Sequence, residues 1–473
     1  MNCAPVLAAS LALAPAFAPA AGGAAPPSIA LPDDPALRHL VDEALERNPD
    51  LARSRSTVRA DRDRVPQAGA LPDPTLTLGI QNDGFQSIQI GKMETSFWQV
   101  MLTQPVPWPG KLGARKDVAR ALAAVAEAQL ERQRLATTAD MERAYIELLL
   151  VREQLALLSD LEALWKEAEA IARTRYEVGQ ASQSDLLRAQ LERSRLRQRR
   201  VALEEQERER VQALNTLRVR PLDESVATSR ALAGLSAPPL RSAEEVAVDA
   251  EARSPDLGIA LLSVKAAERR VESAHQDWFP DMSVSAGVMP RGQIEPMWAV
   301  QVGFTLPVFG AAKQSKAVDE SVSRHEAGER EVDATRLLVL LRARERRTAL
   351  AATLETIEIY RGGVLVQSDA AVRSTLAQYK VGKVTFASVL EVLRGLVLDA
   401  GGYLDALAEV QRIGIADREV SLTPVGAMVT GAAGSAAVPG ASAMAGARAG
   451  VATAAASGQA AAPTSPGGMP AGM

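Results

Sequence analysis

Cysteine is almost absent from this chain of 473 residues, and the single one, Cys3, precedes an apolar stretch instead of following it, which argues against lipid attachment there. A mature chain without Cys3 would carry no thiol at all, as suits an oxidising compartment. Histidine is nearly as scarce. His39, His275 and His325 stand apart, and no His/Cys cluster has ligand spacing, so no structural metal is expected. Gly110-Lys111 lacks the glycine and Ser/Thr of a phosphate loop, so the chain offers no ATP site, no cofactor site and no enzymatic constellation. A basic excess is also missing: the net charge is -4, against what a phosphate-tracking surface for nucleic acid requires. The Arg-rich run from Arg193 to Arg200 leads into Glu204 to Glu209 and reads as a solvated helix face. Finally, no apolar run near the start reaches the ~20 residues of a spanning helix. Val6 to Phe17, with small residues in Ala16-Phe17-Ala18 and Ala18-Pro19-Ala20, reads as an export signal over residues 1–20, although a basic leading region is missing. A Pro/Gly/Ala linker covers 21–32.

What remains is 47% apolar, 4% aromatic and 23% charged, the mixture of a helix-rich protein with ample core. Its main feature is a unit written twice. Pro49-Asp50-Leu51 corresponds to Pro255-Asp256-Leu257, Pro72-Asp73 to Pro280-Asp281, Pro105-Val106 to Pro307-Val308, and Tyr176-Glu177-Val178-Gly179 to Tyr379-Lys380-Val381-Gly382. A period of about 200 residues means two domain-sized halves, not solenoid repeats. The first repeat is placed at 33–226, with strands over about 75–106 and a helical hairpin over about 114–218. A linker at 227–241 leads to the second repeat at 242–421, with strands over about 281–308 and a hairpin over about 313–420; a low-complexity tail occupies 422–473.

Each copy opens on matching caps. Asp34-Pro35 supplies an N-cap followed by proline at the first helical position, Asn48-Pro49 and Ser254-Pro255 restart the helix, and Ser242 to Glu245 has the capping-box pattern. The outgoing segments, about 114–177 and 313–380, contain almost no Gly or Pro apart from Gly328 and the pair Gly362-Gly363. A helix of ~65 residues would be roughly 95 Å long. Leu161, Trp165, Ala168 and Ala172 step by four and three, as in a coiled-coil seam. The return helices are about half as long, and the short helices before the strands supply the missing length if they stack end to end on them.

The strands stop looking soluble. Trp298, Val300, Val302, Phe304 and Leu306 alternate with Ala299, Gln301, Gly303 and Thr305, and Trp98, Val100 and Leu102 occupy the matching places in the first copy. Apolar-out, polar-in strands of this kind suit a transmembrane barrel, where every backbone group must pair; a soluble sandwich gives the same alternation. One chain offers four such strands, which cannot close. Two chains would give a barrel of about eight strands filled by side chains, and three would give about twelve with an open lumen.

These residues together resemble the TolC-type outer-membrane efflux family over about residues 33–421, on the duplicated order, the corner Thr103-Gln104-Pro105-Val106-Pro107-Trp108-Pro109-Gly110-Lys111, and the two Tyr-x-Val-Gly tips. The resemblance implies a mainly α fold with a transmembrane β-barrel, assembled as a homotrimer with a twelve-stranded barrel in outer-membrane lipid and an α-helical periplasmic tunnel. It implies a passive exit duct, coupled through a periplasmic adaptor (membrane fusion protein) to an inner-membrane efflux pump. By the same resemblance Val178, Gly179 and Ser182, with Val381, Gly382 and Thr385, are the adaptor-docking tips; Asp185, Tyr379, Lys383 and Glu391 are candidate gate residues. Val384 stands where drug-type members have a gating arginine, another gate acid is Ser388, and Asp185 is equally a helix-capping residue. The corner is similar to metal-type, cation-efflux members, which makes heavy-metal resistance the first expectation and other small molecules the second. Met428, Met444, Met469 and Met473 are scattered through the tail, where thioethers could hold copper(I) or simply sit in a low-complexity extension. The alternative from another class is a soluble periplasmic coiled-coil adaptor or scaffold.

Overall fold

The structure, a computed structural model, describes residues 34–424. The expected export signal and linker, Cys3, and the tail from residue 425 onward lie outside the described residues. The first copy contains α1 (Pro35–Arg47), α2 (Pro49–Gly69), β1 (Thr75–Gln81), β2 (Phe97–Val106), α3 (Lys111–Glu177) and α4 (Gln183–Leu217). The second contains α5 (Ala243–Arg253), α6 (Pro255–Gln276), β3 (Asp281–Arg291), β4 (Ile294–Thr305), α7 (Gln314–Ile359), a π-helical turn (Tyr360–Val364), α8 (Leu365–Lys380) and α9 (Phe386–Glu419). The duplicated order is therefore present in three dimensions as helix, strand pair, long helix, tip and return helix.

Local chemistry starts each helix. Asp34 accepts the Ala36 N–H at 2.9 Å and also the Tyr145 hydroxyl at 2.7 Å, so the cap of α1 is anchored on the middle of α3. Asn48 accepts from Asp50 and Leu51, and Ser254 accepts from Leu257, each just before a proline that needs no N–H partner. Ser242 and Glu245 close a reciprocal capping box on α5. Asn48 Nδ2 also donates to the Leu217 carbonyl at 3.5 Å, which sets the start of α2 against the end of α4. In the second copy Arg132 of α3 holds Asp256 at the start of α6 (3.2 Å) and Glu419 at the end of α9 (3.0 Å). The short helices thus continue the return helices along the same wall.

The outgoing helix of the first copy is unbroken for 67 residues, about 100 Å at 1.5 Å per residue. That of the second covers the same length but is interrupted by the π turn, which carries Gly362 and Gly363. The sequence predicts a single uninterrupted helix over 313–380; the π turn departs from it at the level where the Tyr360 side chain reaches α9, a Cβ at Gly402 lying 2.5 Å from its hydroxyl. Helix α3 also starts three residues earlier than the expected 114, at Lys111, because the corner itself supplies its first turn.

Two large apolar cores, with two smaller clusters that hold α7 against α5 and α9, pack the helices among the described residues. One joins α1, the middle of α3 and the ends of α4 and α9 through Leu37, Val41, Met141, Tyr145, Leu148, Leu214 and Ile415. The other runs toward the tips through Leu161, Trp165, Ala168, Ala189, Val372, Tyr379, Phe386 and Leu393.

The strands form one antiparallel sheet in the order β1-β2-β3-β4, so the two copies meet between β2 and β3. Register aligns the apolar residues in rows: Leu78, Val100, Val288 and Trp298, then Leu76, Leu102, Ala286 and Val300. The opposite face aligns Thr75, Thr103, Ser285 and Gln301, and Thr103 and Ser285 hydroxyls are 2.9 Å apart. The apolar rows are exposed, with Trp298 at 78% and Val302 at 57%, and on the opposite face Gln99, Thr103 and Ser285 of the inner part are half-buried while Thr75 and Gln301 on the two edge strands are exposed. That inverts the solvation of a soluble sheet. Among the described residues no helix is long and apolar enough to cross a membrane, and the sheet is where apolar surface gathers.

The Pro-rich corner joins sheet to helix across the duplication. Trp108 stacks on Phe279 at 5.7 Å, its N–H donates to Asp281 at 3.0 Å, and the buried Lys111 ammonium lies 2.9 Å from the same carboxylate. Lys111 is a lock between the two copies.

Candidate functional site

At the end opposite the sheet, the two hairpins turn in the same way. Gly179 has φ +70° and Gly382 has φ +79°, a region costly for residues with a Cβ. In the first tip the Gln180 N–H donates to the Arg175 carbonyl at 2.7 Å and the Gly179 N–H to Tyr176 at 2.9 Å; in the second, Lys383 donates to Gln378 at 2.9 Å and Gly382 to Tyr379 at 3.0 Å. Both are Schellman closures, which satisfy the last carbonyls of the helix. The next helices are then capped by hydroxyls: Ser182 accepts from the Asp185 N–H at 3.3 Å and Thr385 from the Ser388 N–H at 3.4 Å. Ser182 and Asp185 thus form the hydroxyl half of a capping box.

The turns leave Val178 and Val381 projecting, 62% and 68% exposed. Gly179, Ser182, Gly382 and Thr385 surround them on the surface. This gives a duplicated apolar knob framed by small and hydroxyl residues. Of the remaining candidates, Lys383 and Glu391 are exposed, Asp185 is half-buried, and Tyr379 is 2% exposed, tilted against Phe386 at 5.4 Å. Burial pushes the Tyr379 phenol pKa up and the nearby Asp185 charge adds to it, while Arg175 opposes both. The Tyr379 hydroxyl is buried and has no hydrogen-bond partner among the described residues, so Asp185 acts on it through charge.

The cation set on Tyr379 is Arg175, whose guanidinium carbon lies 4.7 Å from the ring centroid. Reading the sequence left this residue out and considered Lys383 in place of the missing gate arginine. The available signal was local: Arg175 directly precedes Tyr176 in the first tip string, but nothing in the string says that it reaches the second hairpin.

An antiparallel sheet that turns its apolar side chains outward, continued by paired helical hairpins about 100 Å long, defines the class: a protomer of a membrane-embedded channel with a helical extension. The chain belongs to the outer membrane efflux protein family, whose model matches residues 40–219 and 246–412. It is 26% identical over 419 residues to the pyoverdine export outer membrane protein OpmQ of Pseudomonas putida, covering 80% of this chain and 86% of that one. Among solved structures, its fold is similar to the outer-membrane channel OprN (TM-score 0.71, 20% identity, 82% of this chain and 90% of that one). It is also similar to the open state of the Neisseria gonorrhoeae channel MtrE (TM-score 0.69, 19% identity, 83% and 89%). The protein is an outer-membrane efflux channel, a transport duct and not an enzyme, with its helices on the periplasmic side. Family membership replaces the alternative of a soluble adaptor or scaffold.

Proposed function

We propose that three copies of the chain close a twelve-stranded barrel in outer-membrane lipid and form the passive exit duct of a tripartite efflux system. The carrying observation is the sheet. Its four strands end on β1 and β4, and an exposed edge in hydrocarbon leaves backbone groups unpaired at a cost of several kcal/mol each. Pairing β4 of one copy with β1 of the next removes every edge, and three copies supply the number that leaves an aqueous lumen. The polar rows through Thr103, Ser285 and Gln301 then face water, and the rows through Val100 and Val302 face lipid.

At the far end the docking partner is a periplasmic adaptor joined to an inner-membrane pump. The projecting Val178 and Val381, with Gly179, Gly382, Ser182 and Thr385 around them, are the contact surface this reading assigns to it. Tyr379 and Asp185, with Lys383 and Glu391 farther out on the surface, line the proposed gate. The cargo reading has two supports. The 26% identity to a pyoverdine exporter favours a small organic molecule, and the Gln104 to Lys111 corner favours metal cations. Because that corner serves as a structural lock through Lys111 and Asp281, we place small molecules first.

The test is density-gradient fractionation of membranes, then native mass determination of the detergent-extracted particle, for the parent and for Val302→Lys and Gln301→Lys. Recovery at three chains per particle in the outer-membrane fraction is expected for the parent. A cation at the barrel midplane on the lipid face costs about 2–4 kcal/mol, so Val302→Lys should deplete the assembled protein and Gln301→Lys should not. A monomer in the soluble periplasm, or equal tolerance at both positions, overturns the reading.

A further inference from the structure

The duplication predicts equivalent tips, yet one pair of matching positions differs. Tyr176 and Tyr379 correspond, so Arg175 of the first copy corresponds to Gln378 of the second. Tyr176 is exposed and Tyr379 is buried. Tyr379 packs in the apolar core with Leu376 and Phe386, and the Arg175 guanidinium reaches it from the first hairpin. Nη2 donates to the Gln180 carbonyl at 3.2 Å and Nη1 donates to the Tyr379 carbonyl, while the planar group lies over the Tyr379 ring. Gly382 leaves the space it needs, since a Cβ there would stand 3.1 Å from Nη2.

The choice of side chain follows from where those carbonyls are. Helices α3 and α8 both end at the tips, and each C-terminus carries the negative pole of its helix. Two such poles side by side repel. An arginine in the last turn of α3 reaches the Tyr379 carbonyl in the last turn of α8 and the Gln180 carbonyl just past the end of α3, because its fork presents separate donors in fixed directions and its face stacks on an aromatic ring; a lysine offers one compact ammonium.

We propose that Arg175 is the positioning residue that staples the second hairpin tip to the first within one protomer, making the two tips one docking and gating unit. This rests on the exit-duct reading of the tips. Moving hairpin two away from hairpin one separates the guanidinium from the Tyr379 carbonyl and uncovers the Tyr379 ring, so the staple holds the closed arrangement of the pair. The cation comes from the first hairpin, through a contact across 204 positions of sequence.

The test uses the full-length chain with Cys3→Ser, Gln183→Cys and Ala387→Cys, at two exposed positions just past the tips, spin-labelled and mixed with excess unlabelled chain of the same residue 175 so that each particle holds at most one labelled protomer. Pulsed electron paramagnetic resonance reads the distance between the tips, and planar-bilayer recording reads conductance. Arg175 should give one narrow distance. Arg175→Gln, which installs the residue the second copy already carries at this place, should broaden and lengthen the distribution and raise conductance several-fold. Arg175→Lys should behave like Arg175→Gln because charge without the fork cannot hold both carbonyls, and it serves as the reading if Arg175→Gln is not recovered in the membrane. An unchanged distribution and conductance in the variants, or full restoration by lysine, overturns the staple. A parent protein that forms no conducting trimer defeats the exit-duct reading instead.

Discussion

The two hairpins end in the same turn but are built on different shafts. In the first, no glycine occurs between Gly113 and Gly179, and α4 has none. In the second, the outgoing helix is interrupted at Tyr360–Val364, and α9 carries Gly395, Gly401 and Gly402 on the way back. Tyr360 and Tyr403 meet edge-on at 6.3 Å at this level, and Gly402 gives way to Tyr360. A π turn widens the helix by one residue, and glycine lowers helix propensity by about 1 kcal/mol. The second shaft is thus weakened at matching heights in both of its helices, and the first is not. The two hairpins therefore close on the same turn while differing in the helices that carry it.

The largest effect should come from Trp165, in the core that the two hairpins share. Trp165 is 1% exposed, and its counterpart eleven positions before the second tyrosine is Ser368, which donates to Asp399. Trp165→Ala should destabilise the first hairpin by about 3–5 kcal/mol, and Ser368→Ala should cost the second about 1 kcal/mol. Hydrogen exchange over α3 and α4, compared with α8 and α9, reads both. Equal losses would mean that the shafts do not differ in rigidity.

Next come the tip glycines. Alanine at either must adopt positive φ, at a cost of about 1–2 kcal/mol, but nothing lies within 4 Å of a Cβ at Gly179, whereas Gly382 faces Arg175. Gly382→Ala should therefore exceed Gly179→Ala in thermal destabilisation, and the excess should vanish in an Arg175→Gln background. Smaller again, and of opposite sign, are Gly362→Ala and Gly363→Ala. No neighbour lies within 4 Å of a Cβ at either, so each should stabilise the second shaft by about 0.4–1 kcal/mol. Lower conductance fluctuations in the same variants would tie that stiffness to gating; unchanged fluctuations would separate the π turn from the motion.

Much of this fold was legible because its punctuation is local. Pro49, Pro255 and the Ser/Asn/Asp caps mark helix starts, the Tyr-x-Val-Gly strings mark reversals, and period-two alternation marks the strands. What was illegible depends on partners distant in sequence. Gly362-Gly363 was visible as a lapse in an otherwise glycine-poor run, but a helix tolerates such a pair, and that Tyr360 beside it meets Gly402 of α9 is a contact across 42 positions that the string does not show. Lys111 read as a failed phosphate loop, and its purpose requires Asp281. Arg175 carries no mark of its own in the string, and its contact with Tyr379 appears only in three dimensions.

The smallest effect is a pH dependence confined to one hairpin. Glu169 on α3 is buried, and the hydrogen bond from Arg193 of α4 holds its pKa below the usual carboxylate range, outweighing the upward push of burial, with Arg173 adding a contact at 3.3 Å. Its counterpart in the second copy is Val372, 1% exposed and apolar. A carboxylate whose pKa is depressed on folding contributes stability that is present above its unfolded value of 4.5 and is lost as pH falls through the lower folded value. Acid should therefore loosen α3 from α4 and leave α8 and α9 untouched. Pepsin digestion near pH 3, with cleavage sites mapped by mass spectrometry, should show cuts between 165 and 200 that Glu169→Gln also shows in milder acid, where pepsin still cuts. Cuts appearing first in α8 and α9 would show that Glu169 does not set the acid response of the hairpins.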